Sequence, residues 1–179
     1  MLQIIIIVLL VAADQLTKFL IWAPLPYIGF TAPVIPGVLN FSKVANEGAS
    51  FGMLQGAQVF FVVMTVIVLI AAGYFMIRFR HKQSRFFRVV IAVVFAGALG
   101  NLVDRIAFGY VRDFIDVQLF SFWKFVFNIA DAALVIGAIL ICVYLLFFYK
   151  DKKQLIKADA ESGVSDKEEH KPDRNDKDE

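Results

Sequence analysis

Four stretches of about twenty mainly apolar residues, Leu2 to Trp22, Val59 to Ile77, Phe87 to Phe108 and Phe125 to Phe148, restrict this chain more than any other feature. A helix needs roughly 20 such residues to cross a hydrocarbon core. Lipid offers backbone groups no partner, so a spanning segment must satisfy its own N–H and C=O groups. The expected fold class is therefore all-α integral membrane, a four-transmembrane-helix bundle. Composition agrees: 59% of the 179 residues are hydrophobic, 19% are charged and 19 are phenylalanine, at a mean hydropathy of +0.70. A water-soluble domain of this size does not have that profile. The first apolar stretch lacks a basic leader and carries Asp14 and Lys18 within it, so it reads as a retained span and not as a cleaved secretory signal.

Charge then orients the bundle. Basic residues crowd the segment from Arg78 to Arg88 between spans 2 and 3, and Lys150, Lys152 and Lys153 after span 4. The positive-inside rule puts both in the cytoplasm, and an even number of spans places both termini there as well. The connections at about 23–58 and 109–124 then face outward, and they hold β-branched runs with turn punctuation, Val34 to Phe41 and Val111 to Leu119. Small extracytoplasmic β elements are expected there. Residues 1–150 read as one membrane domain. Residues 151–179 read as a charged, disordered cytoplasmic tail with little to bury.

Several chemistries fall away. Cys142 is the single cysteine, and His81 and His170 lie in a basic loop and in the tail. No disulfide framework, zinc site or Ser/His/Asp triad can be assembled from them, so neither a metal nor a cofactor is expected. A small net charge of +2, with the basic residues bunched in a few places and long stretches carrying none, makes nucleic acid an unexpected partner. Ala92, Ala96 and Gly100 on span 3 would let a neighbouring helix approach closely.

Ionisable residues inside a span cost a few kcal/mol each on insertion scales, so those present need a reason. Asp14 and Lys18, four apart on span 1, face the same way and suit a structural ion pair. Asn101, Asp104 and Arg105 share a face of span 3 near its outer end, and Asn128 and Asp131 share one on span 4. Asp104 with the adjacent Arg105 reads as a pair that holds the bundle together. In the extended segment Val111 to Leu119, alternation puts Asp113 with Val111, Ile115, Val117 and Leu119, and puts Arg112, Asp116 and Gln118 on the other face. Asp116 needs no special account on a polar face. A lone carboxylate among apolar neighbours is either destabilising or functional. Peptide hydrolysis without a metal or an activated Ser or Cys can run on two carboxylates that share a proton, and Asp113 with Asp131 is the pair this reading selects. The apolar outer residues Phe114, Ile115 and Phe120 to Trp123 are expected at the interface, shaping or covering the cleft.

The blocks Asp14-Gln15-Leu16-Thr17-Lys18, Asn46-Glu47-Gly48-Ala49-Ser50-Phe51, Gly100-Asn101-Leu102-Val103-Asp104-Arg105, Val111-Arg112-Asp113-Phe114 and Phe127-Asn128-Ile129-Ala130-Asp131 together resemble the signature blocks of bacterial lipoprotein signal peptidases, in the family's order. Each block alone is weak; five in order across residues 1 to 150 are specific. The resemblance implies an intramembrane aspartic endopeptidase, peptidase family A8, in the bacterial cytoplasmic membrane with its active site near the outer face. Its implied substrates are prolipoproteins, cut just before a diacylglyceryl-modified cysteine, and it implies inhibition by globomycin. A monomer in contact with membrane lipid is expected. The family's catalytic pair falls on Asp113 and Asp131. Asn46 and Gly48 would line the substrate cleft, Asn101 and Asn128 would position the pair and the substrate backbone, and Arg105 would support the site. Asp14, Lys18 and Asp104 fit structural roles. Arg112, directly before the catalytic aspartate, departs from the commonest form; strand alternation turns it away from Asp113 and keeps it out of the site.

Other readings predict different patterns. A proton- or ion-coupled transporter would spread polar residues through the bilayer depth and break a helix with Gly or Pro, whereas all but Asp14 and Lys18 gather near one surface. A non-enzymatic four-span scaffold leaves Asp113 unexplained. A Ser/Lys peptidase using Ser50 or Ser121 with Lys43 or Lys124 has no rigid element to place the lysine.

Overall fold

The computed structural model describes residues 1–48, 57–81, 83–118 and 125–147. In chain order the elements are α1 (Leu2–Thr17), which runs into a π-helical turn (Lys18–Trp22), then β1 (Thr31–Ile35), β2 (Leu39–Asn46), α2 (Gln58–Arg78), α3 (Arg85–Phe108), β3 (Val111–Val117) and β4 (Val126–Phe127). The last is α4 (Ile129–Phe147). Among the described residues four helices are thus long and apolar enough to cross a membrane, and a small antiparallel sheet accompanies them, in keeping with the expected fold class. Internal contacts divide the chain into Met1–Ile141 and Cys142–Glu179; of the second unit, 142–147 are described, as the end of α4.

Of the four helices α3 is the most buried. The share of each span's most apolar window that is buried is 39% for α3 and 11–17% for the other three. The outer faces of those three remain apolar, with Ile4, Val8 and Leu9 on α1, Ile67 and Ile70 on α2, and Ile136 and Ile139 on α4 all exposed. Such faces suit lipid, which makes no demand for polar cover. What holds α3 to its neighbours is close approach at small residues. A Cβ added to Gly97 would lie 2.5 Å from the Ala130 carbonyl oxygen, and one at Gly100 would lie 2.8 Å from Asp14 Oδ2. Ala92 and Ala96 are buried on the same helix.

Local signals set the helix ends. Ser84 caps α3 by accepting from the Phe87 amide at 3.1 Å, as an N-cap serine should. Gly109 closes α3 at φ 85, left-handed backbone that glycine takes without a Cβ penalty. At the end of α1 the Ala23 amide reaches back five residues to the Lys18 carbonyl, the bonding of a π turn, and Lys18 and Trp22 are both buried. Lys43 then donates to the carbonyls of Ala23 and Leu25 at 3.3 and 2.6 Å and stacks on Trp22, tying β2 to this end of α1.

The sheet runs β1-β2-β3-β4, with each neighbouring pair antiparallel. Its β1–β2 turn falls inside the run Val34 to Phe41, where Gly37 takes φ 73, in keeping with the turn punctuation expected there. The fourth helix begins at Ile129, later than the apolar run suggests: Val126 and Phe127 pair with Asp116 and Ile115 of β3 instead. Two further expectations need correction. The alternate face of β3 is not a solvated polar face, for Arg112, Phe114 and Asp116 are all buried. A strand between two others, covered on both sides, hides both sets of side chains. Phe114 is accordingly a core residue, 1% exposed and edge-on to Phe41, and not an interfacial one. Phe120 to Trp123, Leu119, Ser50, Ser121 and Lys124 lie outside the described residues.

Candidate active site

Two groups of polar side chains meet where α1, α3, the start of α4 and β3 converge. The inner group is ionic. Lys18 Nζ lies 2.8 Å from Asp14 Oδ2 and 3.1 Å from Asp104 Oδ2, all three of them at most 1% exposed. Asp104 has a second cation in Arg112, whose Nη2 is 2.7 Å from Oδ1. Gln15 knits the group, donating to Asp14 Oδ2, Asp104 Oδ1 and the Gly100 carbonyl, each at 3.1 Å, and accepting from Arg112 Nη2 at 2.8 Å. Two carboxylates face two cations, and buried charge is tolerable on those terms. Asp104 therefore pairs with Lys18 and Arg112 and not with the adjacent Arg105. Consecutive helix residues point about 100° apart, so sequence neighbours seldom share a partner.

The outer group contains Asp113 and Asp131, and there asparagines take the place of cations. Asp113 Oδ1 accepts from Asn128 Nδ2 at 2.6 Å and Oδ2 from Asn46 Nδ2 at 2.9 Å. Asp131 Oδ1 accepts from Asn101 Nδ2 at 2.7 Å. Its Oδ2 accepts from the Asn128 amide at 3.2 Å, while Asn128 Oδ1 accepts from the Asp131 amide at 2.9 Å. That reciprocal pattern is a capping box at the start of α4, with Asn128 as N-cap and Asp131 three residues on. It leaves the remaining Asn128 N–H bonds for Asp113 and for Asn101 Oδ1, at 3.2 Å. One helix start thus fixes Asp131 and aims Asn128 at Asp113. Asp14 contributes as well, accepting from the Ala130 amide at 3.0 Å.

Among the described residues, neither Asp113 nor Asp131 makes an ion pair. Burial and the neighbouring Asp131 carboxylate push Asp113 up to about 7, against the pull of its two asparagine hydrogen bonds. At neutral pH such a group is poised to hold or release a proton.

A cleft of about 390 Å³ opens beside this pair. Its polar end is lined by Asn46, Gly48, Asn101, Arg105 and Asp131, and its apolar length by Phe61, Met64, Thr65, Val68, Ala98 and Leu134 of α2, α3 and α4. Asp113, 1% exposed, stands behind Asn46. The Gly48 amide donates to Asn46 Oδ1 at 3.1 Å and so holds that amide flat against Asp113. Arg105 reaches the cleft over the face of Phe61, 5.2 Å from its centroid. Its own carbonyl accepts from Gln58 Nε2 at 2.9 Å, joining α2 to the end of α3.

The structure thus brings Asp113, Asp131, Asn46, Gly48, Asn101, Arg105 and Asn128 together, and puts Asp14, Lys18 and Asp104 in the layer beneath. Sequence reasoning set Arg112 aside and gave no role to Gln15 or Gln58. Gln15 carried a usable signal: an uncharged amide beside an intramembrane Asp has to be hydrogen-bonded by something. Asp116 is separate, accepting from Asn40, Ser42 and Gln118 at 3.0–3.3 Å. No group of three or more His, Cys, Asp or Glu able to hold a metal occurs among the described residues.

Comparison with known proteins identifies the family and the fold. The family described as Signal peptidase (SPase) II matches residues 6–147. The chain is 45% identical over 152 residues to the lipoprotein signal peptidases of Staphylococcus aureus strains JH9 and Newman, which covers 85% of this chain and 92% of theirs. A solved structure described as a bacterial membrane enzyme at 2.3 Å superposes with a TM-score of 0.76 at 44% identity, over 84% of this chain and 90% of that one. A second, at 1.9 Å, gives 0.72 at 45% identity, over 82% and 93%.

Proposed function

Because the chain belongs to the signal peptidase II family and is a multi-pass bacterial membrane peptidase, we propose that it is an aspartic endopeptidase in which Asp113 and Asp131 are the reacting pair. Its proposed reaction removes the signal peptide of a prolipoprotein immediately before the diacylglyceryl-modified cysteine. One observation carries the reading: Asp113 and Asp131 are held by asparagine amides and by no cation among the described residues, next to a cleft with an apolar wall.

In this mechanism the pair shares one proton. A water that enters between the carboxylates exchanges with the Asn46 bond to Asp113 Oδ2. The ionised member takes a proton from that water as its oxygen attacks the scissile carbonyl carbon. The protonated member supports the carbonyl oxygen and then protonates the departing amine as the C–N bond breaks, which returns the pair to one shared proton. Asn101 and Asn128 hold the two carboxylates in mutual orientation, and Arg105 offers a fixed positive charge and donors at the cleft's polar end, where charge develops. Asn46 and Gly48 receive the substrate backbone. The apolar wall of Met64, Val68, Ala98 and Leu134 takes the signal helix and acyl chains, neither of which leaves lipid readily. Globomycin-type inhibitors would occupy the same cleft.

By the positive-inside rule the Arg78 to Arg88 connection and both termini are cytoplasmic, and the sheet and cleft lie at the outer face. Residues 1–150 form the peptidase domain of a monomer, and the charged residues 151–179 take no part in catalysis. The purified protein in detergent, given a lipid-modified prolipoprotein, should release the signal peptide, and Asp113→Asn and Asp131→Asn should each abolish release. Cleavage surviving either change removes the pair, and no cleavage by the unmodified enzyme removes the substrate.

A further inference from the structure

We propose that Arg112 is a positioning residue for Asp113, its guanidinium and its own backbone amide gripping one buried carboxylate, Asp104, so that the strand presents Asp113 to Asp131 in a fixed orientation. The proposal rests on the reading of Asp113 and Asp131 as the reacting pair.

Asp113 pairs with Val44 at the edge of an irregularity in the sheet ladder. On one side of it the register of β2 against β3 shifts between Phe41 and Val44: Phe41 stands opposite Ile115 and Val44 opposite Asp113, so Ser42 and Lys43 together face Phe114. A bulge of this kind interrupts the ladder and re-aims the neighbouring side chains. On the other side stands Arg112. Its amide donates to Asp104 Oδ2 at 2.9 Å, and its Nε and Nη2 donate to Oδ2 and Oδ1 of the same carboxylate at 3.3 and 2.7 Å. Nη2 also reaches Gln15 Oε1 at 2.8 Å, and the guanidinium lies 4.3 Å from the centre of the Phe108 ring. Main chain and side chain of one residue are therefore clamped to α3 and α1 directly before Asp113. Strand alternation sends the side chain away from Asp113 and into this clamp.

The residue type matters. A planar fork can meet both oxygens of a carboxylate and rest on an aromatic face, and an ammonium cannot do both. Charge balance points the same way. Lys18 already serves Asp14, Asp104 and Asn101 Oδ1, the last at 3.4 Å, and without Arg112 one ammonium would be left with two buried carboxylates.

Position and charge predict opposite shifts in the pH dependence of cleavage. Asp113 is faced by Asp131 from α4 and by the cations Lys18, from the π-helical turn after α1, and Arg105, from α3. The loss of Arg112 as a mere positive charge would make the pair harder to ionise and move the alkaline limb of activity to higher pH. The loss of Arg112 as a clamp lets the two carboxylates part, weakens their repulsion, and moves that limb to lower pH.

The test is kcat and KM as a function of pH for the full chain in detergent with a lipid-modified prolipoprotein, comparing wild type, Arg112→Gln and Arg112→Lys. The expected result is a fall in kcat of about tenfold or more with KM within about twofold, from lost orientation of the reacting groups. The alkaline limb should move to lower pH in both variants, since Lys keeps the charge and loses the fork. A limb that moves up in Arg112→Gln and stays in place in Arg112→Lys overturns the proposal in favour of a charge effect. An unmoved limb in both leaves Arg112 a purely structural residue and equally overturns it. If Arg112→Gln does not accumulate in membranes, Arg112→Lys decides alone: a wild-type profile overturns the proposal, and a limb at lower pH supports it. Asp113→Asn measured alongside keeps the two claims apart, since residual activity in that variant refutes the reacting pair whatever Arg112 does.

Discussion

The chain sets two pairs of aspartates side by side, away from water or nearly so, and treats them in opposite ways. Asp14 and Asp104 are matched with Lys18 and Arg112 at 2.7–3.1 Å. Asp113 and Asp131, one layer further out, receive only asparagine side chains and one backbone amide. A cation fixes a carboxylate in its ionised form, and a neutral amide orients it while leaving it free to take a proton. On the proposed reading the inner set gains rigidity and gives up chemistry, and the outer set does the reverse. Asn101 joins the two, accepting from Lys18 on one side and donating to Asp131 on the other.

If the contrast is correct, mutations should sort by layer. The largest effect belongs to the outer pair: Asp113→Asn or Asp131→Asn should lower kcat by about a thousandfold or more while the protein still folds, as followed by signal-peptide release and by thermal unfolding in detergent. Next is the inner set. Asp104→Asn strands Arg112 and should cost roughly 3–5 kcal/mol of stability, read as poor accumulation in the membrane and a lowered melting temperature, with residual activity in whatever folds. Asn128→Ala touches both layers, removing half of the capping box, worth about 1 kcal/mol, together with the amide on Asp113. It should lower the melting temperature by a few degrees and kcat by about tenfold or more. The smallest effect is one of pH on stability. Asp113 is raised above its ordinary value of 3.8 to about 7, so between those values the folded state binds more protons than the unfolded state. This contribution is fully present below the lower value and is lost as pH rises through about 7. Asp113→Asn should accordingly gain stability relative to wild type across that interval, and a constant difference in melting temperature would contradict it.

Sequence alone carried the four spans and the oddity of Asp113, because hydropathy and strand alternation are local patterns. It also brought Asn128 and Asp131 to one helix face, although the capping box between them emerges only once α4 is seen to begin at Ile129. Partner choice was not legible. Asp104 stands next to Arg105, yet it binds a lysine from α1 and the arginine that precedes Asp113, since helix phase and the packing of α1 on α3 decide which charges meet. Alternation did turn Arg112 away from Asp113. That the far side of β3 is interior, and not solvent, depends on β2, β4 and the helix ends covering both faces, which no single strand reports. The standing of Asn46 in front of Asp113 likewise depends on a pairing between strands 65 residues or more apart in the chain.

The claim that one proton is shared by an uncompensated pair can be examined directly by infrared difference spectroscopy of the protonated carboxyl stretch as pH is raised. The wild-type protein should show one buried protonated carboxyl below about 7 that disappears above it, is absent in Asp113→Asn, and titrates at lower pH in Asp131→Asn. A band that persists unchanged in Asp113→Asn, or no protonated carboxyl on the acid side of neutrality, would contradict the account.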